Sequence, residues 1–303
     1  MSSPGDIRIG ISGWRYKPWR GTFYPAGLAQ RRELEFASRR LNSIELNGSF
    51  YSLQRPQSFA AWYNETPPDF VFSIKGSRFV THMRRLLNVE TPLANFFAQG
   101  LLSLKEKLGP ILWQFPPNFK CDPPRLDAFF SMLPRTHKEA ARLAKRHDER
   151  LEGRSWFRVQ RDRPLRHAIE IRNETFVCEE FIALLRKHNI ALVAADTVEW
   201  PLLMDVTADF VYCRLHGSEQ LYVSGYEREA IDQWARRVVL WAQGGDVTDG
   251  RKASSASGPA AKARDVYVYF DNDAKVRAPF DALQLSSTIL SMMQNAGAAT
   301  YLS

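Results

Sequence analysis

Cysteine is scarce: Cys121, Cys178 and Cys213 are the only three in 303 residues, far apart and odd in number. That argues against a disulfide framework or a zinc ribbon and fits reduced thiols. No apolar run approaches the roughly 20 residues that span a bilayer, so a bundle of membrane helices is excluded and no membrane partner is expected. The amino end, Met1 to Asp6, has neither a basic start nor the apolar stretch of an export signal, which leaves a cytoplasmic address as the default expectation. Phosphate-cradling GxGxxG and GxxxxGK loops are missing, as are a GxSxG nucleophile elbow and the HxH or HExxH spacings of a metal helix. Self-similarity at a fixed period is absent too.

What is present is ordinary globular composition, 45% hydrophobic and 24% charged, with 41 Lys and Arg against 33 Asp and Glu for a net +8. The excess is local. Residues 135–166 hold eleven Lys and Arg and five Asp and Glu, so +6 of the +8 belongs to that stretch. It reads as an insertion that starts as a helix and ends in a loop, and Trp156 and Phe157 lie within it. A solvated helix face and a nucleic-acid-contacting arm both fit such a composition. A second insertion, about 244–263, is small, polar and aperiodic, and is expected to be a flexible loop.

Eight short β-rich runs recur: residues 7–12, 43–46, 70–75, 110–115, 167–172, 190–196, 210–216 and 266–271. Amphipathic stretches follow most of them, at 28–41, 93–108, 123–133, 179–188, 227–242 and 279–292. Strand–helix alternation repeated eight times predicts an α/β fold, a (β/α)8 TIM-type barrel of parallel strands, with one domain over 1–303 and two insertions. Between strands six and seven, residues 200–208 offer at most a turn of helix, so that crossover is expected to be degenerate.

Period two separates the faces of each strand. Ile7, Ile9 and Ile11, Phe70, Phe72 and Ile74, and Ile169 and Ile171 should face the helices. The opposite parity then carries Ser12, Glu45 with Asn47, Lys75, Gln114, Glu170 with Arg172, Asp196, Arg214 with His216, and Asp271. Each lies near the carboxyl end of its strand, where barrel enzymes build their sites. Buried charges cost several kcal/mol unless paired, so this set needs a reason. An active or ligand site is one; a closed network of Glu–Arg pairs plugging the barrel is the other.

The long motifs GISGWRYKPWRGTFYP (10–25), ELNGSFY (45–51) and LGPILWQFPPNF (108–119), with EIR (170–172), AAD (194–196), YCRLHG (212–217), Tyr222 with Tyr226, and YFDND (269–273), stand in a characteristic order. So do Trp62, Thr66, Pro67, Phe70, Phe72, Lys75, Thr81 and His82. In these the chain resembles the YecE-like proteins, the family called domain of unknown function 72. The resemblance covers nearly the whole chain and implies a TIM-type barrel without an assigned reaction. Two departures stand out: Asn173, Glu174, Thr175 and Phe176 replace an expected His and Ser-Trp pair, and the insertion at 135–166 is longer than the family norm.

Three chemistries fit the mouth. Lys75, Arg172 and Arg214, with His82 and His216 nearby, would present donors to a phosphate or carboxylate, with Glu170 as acid or base and Asp271 orienting His216. Asn47, Gln114 and Asp196 would complete substrate contacts, and Glu45 would join the catalytic set. Alternatively Glu45, Glu170, Asp196, His216 and Asp271 could take a divalent metal, against three cations in the same place. Finally Trp14 and Tyr16 after strand one, with Tyr222 and Tyr226 after strand seven, could stack a sugar or base. Trp19, Phe23 and Tyr24 in the same first loop fit a packed cap equally well. The functional expectation is an enzyme, a hydrolase, lyase or isomerase acting on an anionic small molecule. A nucleic-acid-binding or metal-assisted phosphodiester-processing protein, touching backbone through 135–166, and a non-catalytic ligand-binding barrel are the alternatives.

Overall fold

The computed structural model describes residues 3–217, 225–272 and 275–300, with side chains described through residue 295. Its strands β1 (Ile7–Ser12), β2 (Ser43–Leu46), β3 (Val71–Lys75), β4 (Leu108–Gln114), β5 (His167–Glu170), β6 (Ala191–Asp196), β7 (Phe210–Leu215) and β8 (Asp265–Phe270) form one closed, all-parallel barrel in sequence order. β1 pairs with β8 as well as β2, Gly10 standing opposite both Ser43 and Tyr269, which closes the circle. The TIM-type barrel read from the alternation is therefore the fold.

Each strand presents two faces, and the core divides accordingly. One buried cluster lies between the strands and the helices and includes Ile9, Ile11, Ile44, Phe72, Ile74, Trp113, Ile169, Cys213 and Phe270. A separate cluster fills the barrel's interior with Leu112, Ala168, Ala191, Val193, Tyr212, Tyr267 and Tyr269. The interior is partly polar, with its tyrosine hydroxyls satisfied: the Tyr269 hydroxyl sits 2.6 Å from Ser43 Oγ and 2.7 Å from Ser73 Oγ. Such hydrogen bonding is the condition for burying hydroxyls there.

The surrounding helices are α1 (Glu33–Ser38), α2 (Gly48–Tyr51), α3 (Pro56–Glu65), α4 (Glu90–Ala98), α5 (Pro123–Met132), α6 (His137–Ala144), α7 (Glu179–Lys187), α8 (Arg228–Ala242) and α9 (Ala278–Thr300). The long helix expected over 93–108 is broken. Helix α4 ends at Ala98, and a 3-10 segment, Leu101–Lys107, takes over. Gly100 is the reason: its φ is +114°, and a Cβ there would come within 2.5 Å of Pro56 Cα at the start of α3. Gly100→Ala is thus expected to lower stability by roughly 1–3 kcal/mol, measurable by urea unfolding, whereas Gly153→Ala, at φ +69° in open space, should cost less. Equal losses would mean that only the backbone angle matters.

Residues 197–209, all described, form neither helix nor strand, so the crossover between β6 and β7 is degenerate as read. The segment 135–166 contains α6, whose amino end is capped by Thr136 Oγ1 accepting from Glu139 N at 3.2 Å. It lies along the outside of α4, where Trp156 N donates to Ala98 O at 2.7 Å. The segment 244–263 has irregular backbone bonded to its surroundings: the Asp205 carboxylate accepts from Ala253 N and Ser254 N, and Arg186 donates to Ala256 O. No helix of the described residues is long and apolar enough to cross a membrane.

Candidate functional site

The carboxyl ends of the strands converge on Arg214, whose side chain is fully buried on β7. Its Nε donates to Glu45 Oε2 at 3.1 Å, Nη1 to Glu170 Oε2 at 2.6 Å, and Nη2 to Glu45 Oε1 at 3.0 Å and Asp271 Oδ2 at 2.7 Å. Contacts of 3.4 Å to His216 Nε2 and 3.5 Å to Ser12 Oγ complete its surroundings. Burial opposes the charge on Arg214, yet Glu45, Asp271 and Glu170 hold its pKa well above the ordinary value. Burial likewise works against ionised Glu170, and Arg214 and Arg172 overcome it, keeping the carboxyl well below the usual range. Asp271 is held low in the same way by Arg214 and His216. All three are charged at neutral pH.

Glu45 is fixed from both sides, since Ser12 Oγ donates to Oε1 at 2.9 Å and Tyr212 Oη to Oε2 at 2.6 Å. Tyr212 thus joins the site, and its parity, two residues before Arg214, is the signal in the sequence that points to it. His216 is fully buried, with Nδ1 3.2 Å from Asp271 Oδ2. This is an imidazole and orienting carboxylate, as their positions on neighbouring strands suggested. Arg172 flanks the hub: its Nε donates to Glu170 Oε1 at 2.8 Å and Nη2 to Gln114 Oε1 at 3.0 Å, while its guanidinium lies 4.0 Å from the Trp200 ring centroid.

The Glu–Arg plug weighed at the outset therefore exists, and it changes what Arg214 can do. With its N–H groups directed at protein acceptors, Arg214 is a holder of carboxylates rather than the anion clamp its type suggested. The plug does not absorb everything, however. Lys75 Nζ faces the Phe50 ring at 4.6 Å, and among the described residues no acceptor or carboxylate lies within bonding distance of it. Burial, then Arg214, pushes this amine down to about 8. Asn47 Oδ1 and Trp200 Nε1 are buried without hydrogen-bond partners among the described residues. His82, in a π-helical turn over Phe79–Met83, is half-buried beside Phe50 and pushed down to about 4 by burial and by Arg172 and Lys75.

Trp14 and Tyr16 line a cleft of about 290 Å³ with Arg15, Asn47, Gln54 and Trp62. The Trp14 and Trp62 rings meet edge to face at 5.6 Å, and Tyr16 Oη donates to Ser12 O. Trp19, Phe23 and Tyr24 pack as a buried cap.

Two expected contacts face elsewhere. Asp196 accepts from Trp234 Nε1 on α8 at 3.0 Å, and so lies on the helix side of β6 rather than in the mouth. β6 is apolar on both faces, with Leu192 and Ala194 outward and Val193 and Ala195 inward, so its parity carried no signal. Tyr226 is buried against Phe270 in the same outer layer and accepts from Gly217 N at 3.1 Å, which makes it a packing residue. Tyr222 lies outside the described residues, as does Asp273 of the YFDND motif.

The departing loop after β5 is also structural. Asn173 Oδ1 caps a 3-10 turn by accepting from Thr175 N at 3.1 Å, and Phe176 packs on Phe115, Phe119 and Phe181. The proposed metal ligands do not fit an ion, because Glu45, Glu170 and Asp271 converge on a guanidinium and Asp196 points away. Among the described residues no group of three His, Cys, Asp or Glu side chains is placed to hold a metal.

Fold and site together define a (β/α)8-barrel protein with a charged, internally paired carboxyl mouth. The chain belongs to the family described as protein of unknown function DUF72, whose model matches residues 8–300. It is 22% identical over 242 residues to the YecE protein of Escherichia coli (strain K12), a match spanning 78% of this chain and 82% of that one. It is 32% identical to YunF of Bacillus subtilis (strain 168) over 120 residues, only 38% of this chain and 42% of YunF. Among solved structures, a family member from Thermotoga maritima MSB8 superposes with a TM-score of 0.68 at 23% identity, covering 94% of this chain and 99% of that one. Another from Enterococcus faecalis V583 gives 0.65 at 18%, covering 93% and 95%. At these identities the structures speak for the fold.

Proposed function

We propose that the protein is an enzyme acting on a small phosphate- or carboxylate-bearing molecule at the carboxyl mouth of the barrel. The observation that carries this reading is the Lys75 amine in the charged mouth, over the Phe50 ring and pushed down to about 8. Titratable groups perturbed by burial and neighbouring charge in a polar concavity are the mark of a ligand site. Arg172, with 11% of its side chain exposed, is the cation that meets the anion, while the Lys75 amine is buried. Glu170 is ionised and doubly paired, so it orients Arg172 and Arg214 and supplies charge. Proton transfer falls to Lys75 and to the His216–Asp271 pair.

Inorganic phosphate at millimolar concentration is expected to raise the melting temperature, and Arg172→Ala to abolish that rise while Arg142→Ala on the surface leaves it intact. A phosphate effect that survives Arg172→Ala removes the site from anion binding. Incubation with a library of phosphorylated and carboxylated metabolites is expected to give a product with the wild type and none with Lys75→Met. No conversion by the wild type would leave a ligand-binding barrel.

A second reading is favoured by the exposed cations of 135–166. Arg142 and Arg150 keep 74% and 63% of their side chains exposed, and Arg158 lies over the exposed Trp156 ring at 5.4 Å. Phosphate-driven binding of nucleic acid by this face would be strong at about 50 mM salt and weaker by orders of magnitude at about 200 mM. Binding unchanged across that range, or absent at the lower salt, overturns it.

A further inference from the structure

Lys75 ends β3 with its amine inside the mouth, and its surroundings are unusual for a binding lysine. A lysine that holds an anion by charge normally keeps that charge with carboxylates or solvent around it. Here Glu45, Glu170 and Asp271 lie in the same mouth, yet each is bonded to Arg214. The amine lies over the Phe50 ring, and although Asp271, Glu45 and Glu170 pull its pKa up, burial and then the Arg214 charge outweigh them. Desolvation beside a second cation is the arrangement that frees a lysine amine to act as a nucleophile.

We propose that Lys75 is a nucleophilic amine that condenses with a carbonyl group of the substrate, so that the anionic molecule of the preceding reading, on which this inference rests, is an aldehyde or ketone. In the step, the Nζ lone pair forms a C–N bond to the carbonyl carbon as the C=O π pair moves to oxygen. The nitrogen loses a proton and the oxygen gains one, giving a carbinolamine. Loss of that oxygen as water, with uptake of one proton, leaves a protonated imine. No oxidant or further co-reactant is needed. The anionic group would lie toward Arg172, and the imine nitrogen's positive charge toward Asp271, whose side chain is 14% exposed. An imine so placed serves a lyase or isomerase by drawing electrons from the adjacent carbon–carbon or carbon–hydrogen bond. It offers nothing to phosphate hydrolysis, which narrows the reaction class.

An amine near 8 is about 10% neutral at pH 7, against about 0.03% for one at its ordinary value. Full-length protein treated with formaldehyde and cyanoborohydride between pH 6 and 10 should therefore be methylated at Lys75 at least about tenfold faster at pH 7.5 than at exposed Lys187, with half-maximal rate near pH 8. Peptide mass spectrometry reads the sites. A Lys75 that tracks Lys187, or one that formaldehyde does not reach, overturns the inference. Glyoxylate, a small aldehyde carrying a carboxylate, with cyanoborohydride to reduce the imine, should give a carboxymethyl adduct at Lys75 that phosphate competes away. If formaldehyde labels Lys75 quickly but glyoxylate does not, the anion reading fails and the nucleophile stands. If phosphate stabilises the protein through Arg172 while Lys75 stays inert, the reverse holds.

Discussion

Arg214→Met is expected to destabilise the protein by about 3–5 kcal/mol or more, the largest loss of any single change at the mouth. Methionine fills much of the same volume, so the effect is electrostatic rather than a cavity. Removing the cation leaves the carboxyls of Glu45, Glu170 and Asp271 facing one another across the space the guanidinium filled. Truncating one member of a buried ionic cluster is far more costly than replacing the whole cluster with apolar groups, because the remaining charges keep their desolvation penalty without a partner. The urea midpoint is the readout. The same reasoning fixes a rescue: Glu45→Gln added to Arg214→Met removes one of the repelling charges and should recover part of the loss. If Arg214→Met does not fold, the double variant is the one measured. A loss below about 1 kcal/mol, or a double variant worse than Arg214→Met alone, would mean that the hub is not held together by these charges. The variant should also gain relative stability as pH falls toward 4, where the carboxyls protonate.

The hub shows where sequence reading succeeds and stops. Inward parity put Ser12, Glu45, Lys75, Gln114, Glu170, Arg172, Arg214, His216 and Asp271 at one end of one barrel, because alternation with β-branched and aromatic residues leaves no doubt about which face meets the helices. Parity failed for Asp196, where alanines on both faces of β6 erase the contrast. Which charges pair is another matter. Nothing in the spacing distinguishes Arg214, bonded to three carboxylates, from Lys75, which those carboxylates reach only through space; that depends on distances across the barrel between residues up to 169 positions apart. Trp200 was invisible for a different reason. It lies in the crossover without periodic structure, and only barrel closure brings it over Arg172. Gly100 could have been read as a helix stop by its type, but its tight approach to Pro56 is a tertiary fact.

Acid should destabilise the protein before its carboxylates titrate, because of a histidine away from the mouth. His167, the first residue of β5, is fully buried. Its Nδ1 accepts from Trp113 Nε1 at 3.1 Å, and its Nε2 lies 2.8 Å from Pro134 O, to which it donates. The tautomer is thereby fixed: Nε2 carries the hydrogen, and a proton on Nδ1 would meet the indole N–H head on. Burial above all pushes the imidazole down to about 3, against an ordinary 6.5. Because the folded value is the lower one, the folded state binds fewer protons than the unfolded chain between these limits. The stability His167 contributes is thus fully present above pH 6.5 and is lost as pH falls, by about 1.4 kcal/mol for each unit. At pH 4.5 the loss from this residue alone is about 3 kcal/mol, and His137, buried and pushed down to about 4 by burial and Arg163, adds to it in the same direction. Glu170 and Asp271 also favour folding only while ionised, but they begin to matter below the ordinary carboxylate range. Melting temperature against pH should therefore drop steeply from 6.5 to 4. His167→Gln, neutral at every pH and able to donate to Pro134 O, should be less stable than the wild type at pH 7 and flatter through that window. An unchanged slope in His167→Gln would assign the acid transition to the carboxylates instead.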